Sequence, residues 1–180
     1  QKNLNSIGLN ISLEDALGYR EHSEYQKNTY SASFRRLFNL TNALNFKIDY
    51  NELYLQNSGA LTQIQLDRDH RQSASMYEND YRNYKKLSGI VQYSIGNENR
   101  LTILSGVRNL NQDEIRTLQL TSELGDSQFE KQTSTVFWNQ LKYNKSLKNL
   151  RILMGIDSEY GSFESDYFDV TENEKFSVGK

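Results

Sequence analysis

The chain alternates with a period of two, and this constrains its fold more than any other feature. In ALNFKIDY, Leu44, Phe46, Ile48 and Tyr50 fall on one side of an extended backbone, with Asn45, Lys47 and Asp49 opposite. Ile7, Leu9 and Ile11 alternate in the same way with Ser6, Gly8, Asn10 and Ser12, as do Tyr30, Ala32, Phe34 and Phe38 with Thr29, Ser31, Ser33 and Arg35. Leu87, Gly89, Val91, Tyr93 and Ile95 continue the pattern, followed by Leu101, Ile103 and Val107, then Phe137, Leu141 and Tyr143. Leu150, Ile152, Met154, Ile156 and Tyr160 close it, with Arg151, Gly155, Asp157 and Glu159 across from them. A helix needs apolar residues three and four apart, and these windows do not sustain that spacing. The expected class is all-β, an antiparallel meander of about seven strands with an eighth after Tyr160.

The connections differ in length by turns. Short, Asn-rich turns are expected at Asn39–Asn42, Gly96–Arg100 and Asn144–Asn149. Long connections are expected at Leu13–Glu24, Asn57–Asn83 and Asn111–Glu130. A soluble sandwich has no reason to place all its long loops at one end. A transmembrane β-barrel does, with short periplasmic turns and long extracellular loops. Several alternating runs approach the roughly 9–11 residues that cross a bilayer at a tilt. Phe38, Tyr50, Tyr93 and Tyr143 are read as a ring of aromatics on the short-turn side, where amphipathic rings favour the headgroup level. Arg36 interrupts its apolar face, close enough to a short turn to snorkel to the interface.

Composition is compatible with this reading. Mean hydropathy is low, but 12 Tyr, 8 Phe and 1 Trp are too many for a disordered chain. No run approaches the ~18 apolar residues of a membrane helix. A barrel strand shows only half its residues to lipid, so low hydropathy is expected of it. The chain has no Cys and a formal net charge of −2. Disulfides, thiolate metal sites and thiol nucleophiles are therefore unavailable. Without clustered Lys and Arg, nucleic acid is not an expected partner. Two other classes fit the period: a small outer-membrane barrel acting as adhesin or structural protein, and a soluble all-β binding module.

The run GYREHSEYQKNTYSASFRRLFN resembles early barrel strands of TonB-dependent outer-membrane receptors of the ferric-siderophore type. The likeness continues through FKIDYNELYLQNSGALT and LDRDHRQSA, where Gly59, Ala60, Leu61 and Thr62 precede an acidic-basic patch from Asp67 to Arg71. TVFWNQLKYNKSLKNLRILMGIDSEYG is similar to a barrel hairpin of that family. The resemblance implies residues 1–180 as part of a receptor barrel, without the family's plug domain or TonB box, in a bacterial outer membrane. A family barrel has 22 strands around a plugged lumen, of which this chain supplies about a third. It further implies a ferric siderophore or similar chelate as cargo. The expected partners are membrane lipid, the remainder of the barrel, and the TonB energy-transducing complex acting through the plug. Lumen-facing Lys47, Asp49, Arg151, Asp157 and Glu159 are then a wet wall or plug-contact surface.

The stretch Ser58–Tyr84 is the candidate ligand-contacting loop. Arg68, His70, Arg71, Tyr77, Tyr81, Arg82 and Tyr84 combine cationic donors with aromatic faces, which suits an anionic chelate with an organic shell. The bland reading is a solvated loop packed on itself. His22 and His70 have no partners at metal-ligand spacing, and Asp67 and Asp69 lack the remainder of a calcium loop. GNENR at Gly96 is turn chemistry rather than a phosphate loop, and no Gly-x-Ser-x-Gly elbow occurs. Transport breaks no bond, so no catalytic residue, cofactor or resident metal is expected.

Overall fold

Alternating runs without a single proline can pair along their whole length, because every residue keeps a backbone N–H for the ladder. A computed structural model describes residues 4–120, 125–170 and 175–177. The strands are β1 (Leu4–Ala16), β2 (Tyr25–Leu37), β3 (Ala43–Gln56), β4 (Tyr81–Ile95), β5 (Arg100–Gln119), β6 (Gly125–Leu147), β7 (Leu150–Asp169) and β8 (Lys175–Ser177). They lie in chain order, each antiparallel to the next. β1 pairs only with β2 and β8 only with β7, so the sheet is open. The all-β meander expected from the alternation is what forms.

Connections at one end are short. Between β2 and β3, the Asn39 side-chain oxygen accepts from the backbone N–H groups of Thr41 (2.9 Å) and Asn42 (2.7 Å), closing the turn locally. Gly96 follows β4 with a φ of 94°, and a Cβ there would meet the Asn99 carbonyl. Only Lys148 and Asn149 separate β6 from β7. The other end carries Leu17–Glu24 and Asn57–Asp80, the latter holding helix α1 (Gln63–Arg68) and a 3-10 turn (Ser75–Tyr77).

Four expectations are corrected here. Asn111–Glu130 is not a long loop: β5 runs to Gln119 and β6 starts at Gly125, with residues 121–124 outside the description. Its alternation was hidden because both faces are polar, whereas backbone pairing does not depend on side chains. β1 likewise extends to Ala16, and Asn144–Leu147 belongs to β6. Tyr50 is not near the short turns. It pairs with Tyr30 and Leu87, well along β3 towards the long loops.

The register joins the alternating apolar rows of all seven long strands into one face, while Ile90, Leu104, Leu110, Trp138, Leu153 and Phe163 lie on the other. One row reads Leu9, Ala32, Ile48, Gly89, Val107, Phe137, Tyr160. No described residue covers this face. Among the described residues the buried hydrophobics are Ala43, Ala74 and Tyr77 alone, while Leu9 is 79% and Tyr160 78% exposed. The opposite face carries Lys47, Asp49, Arg108, Asp157 and Glu159, as the alternation requires. Among the described residues the sheet is a single layer with no core of its own.

The apolar band also runs obliquely across the strands. Towards the long loops, the last apolar residue before the first charged position on this face is Leu13 on β1 and Tyr160 on β7; beyond Glu164 and Asp166, Phe168 lies on the same face in a row with Phe129, Ile115 and Tyr81. Traced through the register to β6, these limits meet Thr133 and Phe137, a drift of four residues. Towards the short turns the limits are Ile7 on β1 and Leu150 on β7, which meet Asn139 and Leu147, a drift of eight. The mean is about one residue per strand. With ~3.3 Å per residue and ~4.8 Å between strands, that inclines the strands by roughly 35° to the band normal.

Candidate functional site

The long-loop end is organised by a residue that carries no mark in the alternation. Arg20, between β1 and β2, donates from Nη1 to the carbonyl of Gly59 (2.6 Å) and from Nη2 to those of Ser58 (3.1 Å) and Gln72 (2.9 Å). Its Nε also donates to Gln72 (3.1 Å). A planar guanidinium with fixed N–H directions can gather carbonyls in this way, and an ammonium cannot. His22 Nε2 donates to the carbonyl of Asp80 (2.7 Å), and the Glu21 N–H to that of Arg71 (2.7 Å). The GYREHS run is thus a clasp on the 57–80 segment.

That segment is compact. Thr62 and Gln65 form a capping box at the start of α1, satisfying N–H groups that a short helix otherwise leaves open. Gln72 Nε2 donates to the carbonyl of Gln65 (2.6 Å). Ala74 and Tyr77 are its small core. Gly59, with φ of 63°, lies under the Tyr77 ring, where a Cβ would collide with Cδ2. Only glycine meets both demands.

The seven residues singled out for ligand contact do not share a pocket. Arg68, His70 and Arg71 are exposed at the outer surface of the segment. There the His70 ring stacks on Tyr19 at 5.7 Å, and the Arg71 guanidinium lies 5.4 Å from the same ring centre. Tyr77 is buried, its hydroxyl 3.4 Å from the Gln119 side-chain oxygen, and so presents no face outward. Tyr81, Arg82 and Tyr84 belong to β4, not to a loop, and strand alternation sends them to different sides. Tyr81 lies on the side of the apolar band and stacks with Tyr54 at 6.1 Å. Arg82 and Tyr84 lie on the polar side.

On that polar side Arg82 Nε pairs with Glu114 Oε2 at 2.7 Å. The hydrogen bond to Glu114 raises the Arg82 pKa further, against a smaller opposing effect of burial. Glu114 also accepts from Gln112 Nε2 (3.1 Å), and Glu130, its partner across the strands, accepts from Ser165 Oγ (3.1 Å). Both carboxylates are buried. Arg82 therefore already neutralises a carboxylate and is less open to an anionic ligand than its sequence position suggests.

A cleft of about 570 Å³ opens on the other side, lined by His22, Tyr54, Gln56, Tyr81, Ile115 and Val170. Burial, and secondarily the Asp113 and Tyr54 charges, raise the Tyr81 pKa, so its phenol stays a neutral donor. The cleft offers ring faces, a phenol, amides and an imidazole with the Glu78 carboxylate on its wall, which suits a polar organic group rather than an anion. No group of three or more His, Asp or Glu able to hold a metal occurs among the described residues.

Sequence reasoning missed Arg20, Asp80, Tyr19 and the Glu114–Glu130 pair. Tyr19 and Arg20 lay in the GYREHS stretch and Asp80 in the Ser58–Tyr84 loop, but none of them was singled out as a residue. No protein-family model matches the chain, and no curated protein matches it either.

Proposed function

We propose that this chain is part of the wall of a TonB-dependent outer-membrane receptor that imports a ferric siderophore or similar metal chelate. The observation that carries the membrane part is the oblique, uncovered apolar band. A planar hydrocarbon slab crossed by tilted strands demands a band that slips against the hydrogen-bond rows. An inclination of roughly 35° matches the tilt of about 35–45° found in membrane barrels. A layer of protein covering the same face would have no reason to follow a plane. The open sheet edges, which hydrocarbon does not tolerate, support further strands in the complete wall.

The transport part rests on the resemblance of the GYREHS and Gly59–Arg71 stretches and on the chemistry of the loop end. Arg68, His70 and Arg71 put cationic and aromatic groups at the outermost surface, where an anionic chelate first arrives. The plug, the remaining strands and the energy-transducing complex complete the machine in this reading. A small eight-stranded adhesin is less favoured, because β1 and β8 do not pair.

The test uses the absence of cysteine from this sequence, with any cysteine elsewhere in the full-length protein replaced by serine. Single cysteines placed in the full-length protein along β4, from Leu87 to Ile95, are spin-labelled in a bilayer. Odd positions should be reached by a lipid-soluble quencher and even positions by an aqueous one. Equal aqueous access at both sets sinks the barrel. If the faces separate but iron-chelate uptake by cells is unchanged when the gene is deleted, the transport assignment fails and the barrel stands.

A further inference from the structure

We infer that Arg36 binds the phosphate of a phospholipid headgroup in the leaflet on the short-turn side. This rests on the reading of the apolar face as lipid-facing, and adds to it a site of defined chemistry.

Arg36 lies on the apolar face, paired across the strands with Asn5 on one side and Leu44 on the other. Its row continues through Tyr93, Ile103, Leu141 and Ile156. A cation among apolar neighbours ordinarily has a carboxylate partner. Arg36 makes no ion pair or hydrogen bond with any described residue, and its Nε is both buried and without a partner. Its guanidinium is held instead over the Phe38 ring, 4.9 Å from the centre. Phe38 in turn meets Tyr93 edge-on at 6.3 Å. Two aromatics thus fix the height of the cation at the rim of the band, where headgroups lie.

The charge distribution specifies the sign of the partner. From the loop-ward limit of the band to the turns, the strand positions of the apolar face include Arg36 and Lys145 and no carboxylate among the described residues. Beyond the loop-ward limit the same face is mixed, with Asp15, Glu52, Lys85, Asp113, Lys131 and Glu164. Cationic strand positions at one edge of an apolar belt, with Glu98 in the turn beyond them, fit the anionic phosphodiester layer of a phospholipid leaflet. The planar fork of arginine binds two oxygens of such a group at once.

The full-length protein, its Arg36→Gln variant and its Arg36→Lys variant are reconstituted into nanodiscs of phosphatidylglycerol, or of a galactolipid with the same acyl chains and no phosphate. Lipid retained after mild detergent extraction is counted by native mass spectrometry. The expected result is retained phosphatidylglycerol with the native protein, about fivefold less with Arg36→Gln, and an intermediate level with Arg36→Lys. Retention of galactolipid should be low and insensitive to the substitution. Heat-modifiable migration establishes that each variant is folded. Equal phosphatidylglycerol retention by folded Arg36→Gln overturns the site, and so does galactolipid retention equal to that of phosphatidylglycerol. Failure of the native protein to enter either bilayer overturns the barrel reading instead, and this site with it.

Discussion

The carboxylate of Asp80 caps Thr117, 37 positions further along the chain, accepting its backbone N–H at 2.9 Å and its hydroxyl at 2.7 Å. Asp80 is 1% exposed and immediately precedes β4, at the point where pairing of β4 with β5 stops. The aspartate takes over from the backbone ladder and satisfies the next N–H of β5. Its own carbonyl receives His22 and the Asn57 N–H. One residue thereby ties both long connections to the sheet.

Replacing Asp80 by Ala leaves the Thr117 N–H without its acceptor. Leaving a buried donor unsatisfied costs about 1–3 kcal/mol, and more when the lost acceptor is charged. Hydrogen exchange at Thr117 should accelerate by one to two orders of magnitude on this estimate, while the centre of β5 near Asn109 stays protected. Unchanged exchange at Thr117 would contradict the cap.

Arg20→Lys keeps the charge and loses the fork that gathers the carbonyls of Gly59, Ser58 and Gln72. The 57–80 segment should then open locally without unfolding the sheet, because local opening draws on local contacts. Limited proteolysis within Gly59–Ala74 should speed up several-fold. A cleavage rate equal to the native one shows that the clasp does not hold the segment.

Gly59→Ala meets two obstacles that a second substitution separates. The left-handed φ costs about 1–2 kcal/mol for a residue with a Cβ, and the methyl also meets the Tyr77 ring. Tyr77→Ala removes the ring but not the backbone cost. In a double-mutant cycle for stability, Gly59→Ala should be markedly less harmful in the Tyr77→Ala background. Strict additivity would mean the ring contact is not the source of the clash.

Alkaline pH should loosen the loop end through Tyr81. Its pKa is raised in the folded protein, first by burial and then by the charges of Asp113 and Tyr54. Below about pH 10, the ordinary tyrosine value, the phenol is neutral folded or unfolded and contributes no pH dependence. Above it the unfolded chain loses its proton first, so stability falls as pH rises towards the folded pKa. Tyr81→Phe should flatten this part of the alkaline stability profile. An unaltered slope assigns the effect to other groups.

Much of the architecture was legible in the order of residues, for reasons visible at particular positions. Where one face is apolar and the other polar, as at Leu44–Tyr50, the period shows and the strand follows. Where both faces are polar, as at Asn111–Gln119, the same strand geometry leaves no trace in the sequence. The candidate ligand residues were legible as types but not as a site. Tyr81 and Arg82 look like neighbours in a loop. Once β4 starts at Tyr81, adjacency puts them on opposite sides of the sheet.

By itself the sequence determined the class of fold, the two faces of each strand and the turns where Asn39 and Gly96 close the chain locally. These depend on a residue's own backbone and its near neighbours. Tertiary structure alone decided the register, hence the height of Tyr50, the slope of the apolar band and the isolation of Arg36. It also decided that Arg20 and Asp80 serve as fasteners and that Tyr77 is buried. Such properties come from contacts between residues tens of positions apart, made largely through backbone groups that every residue shares, so no local pattern records them.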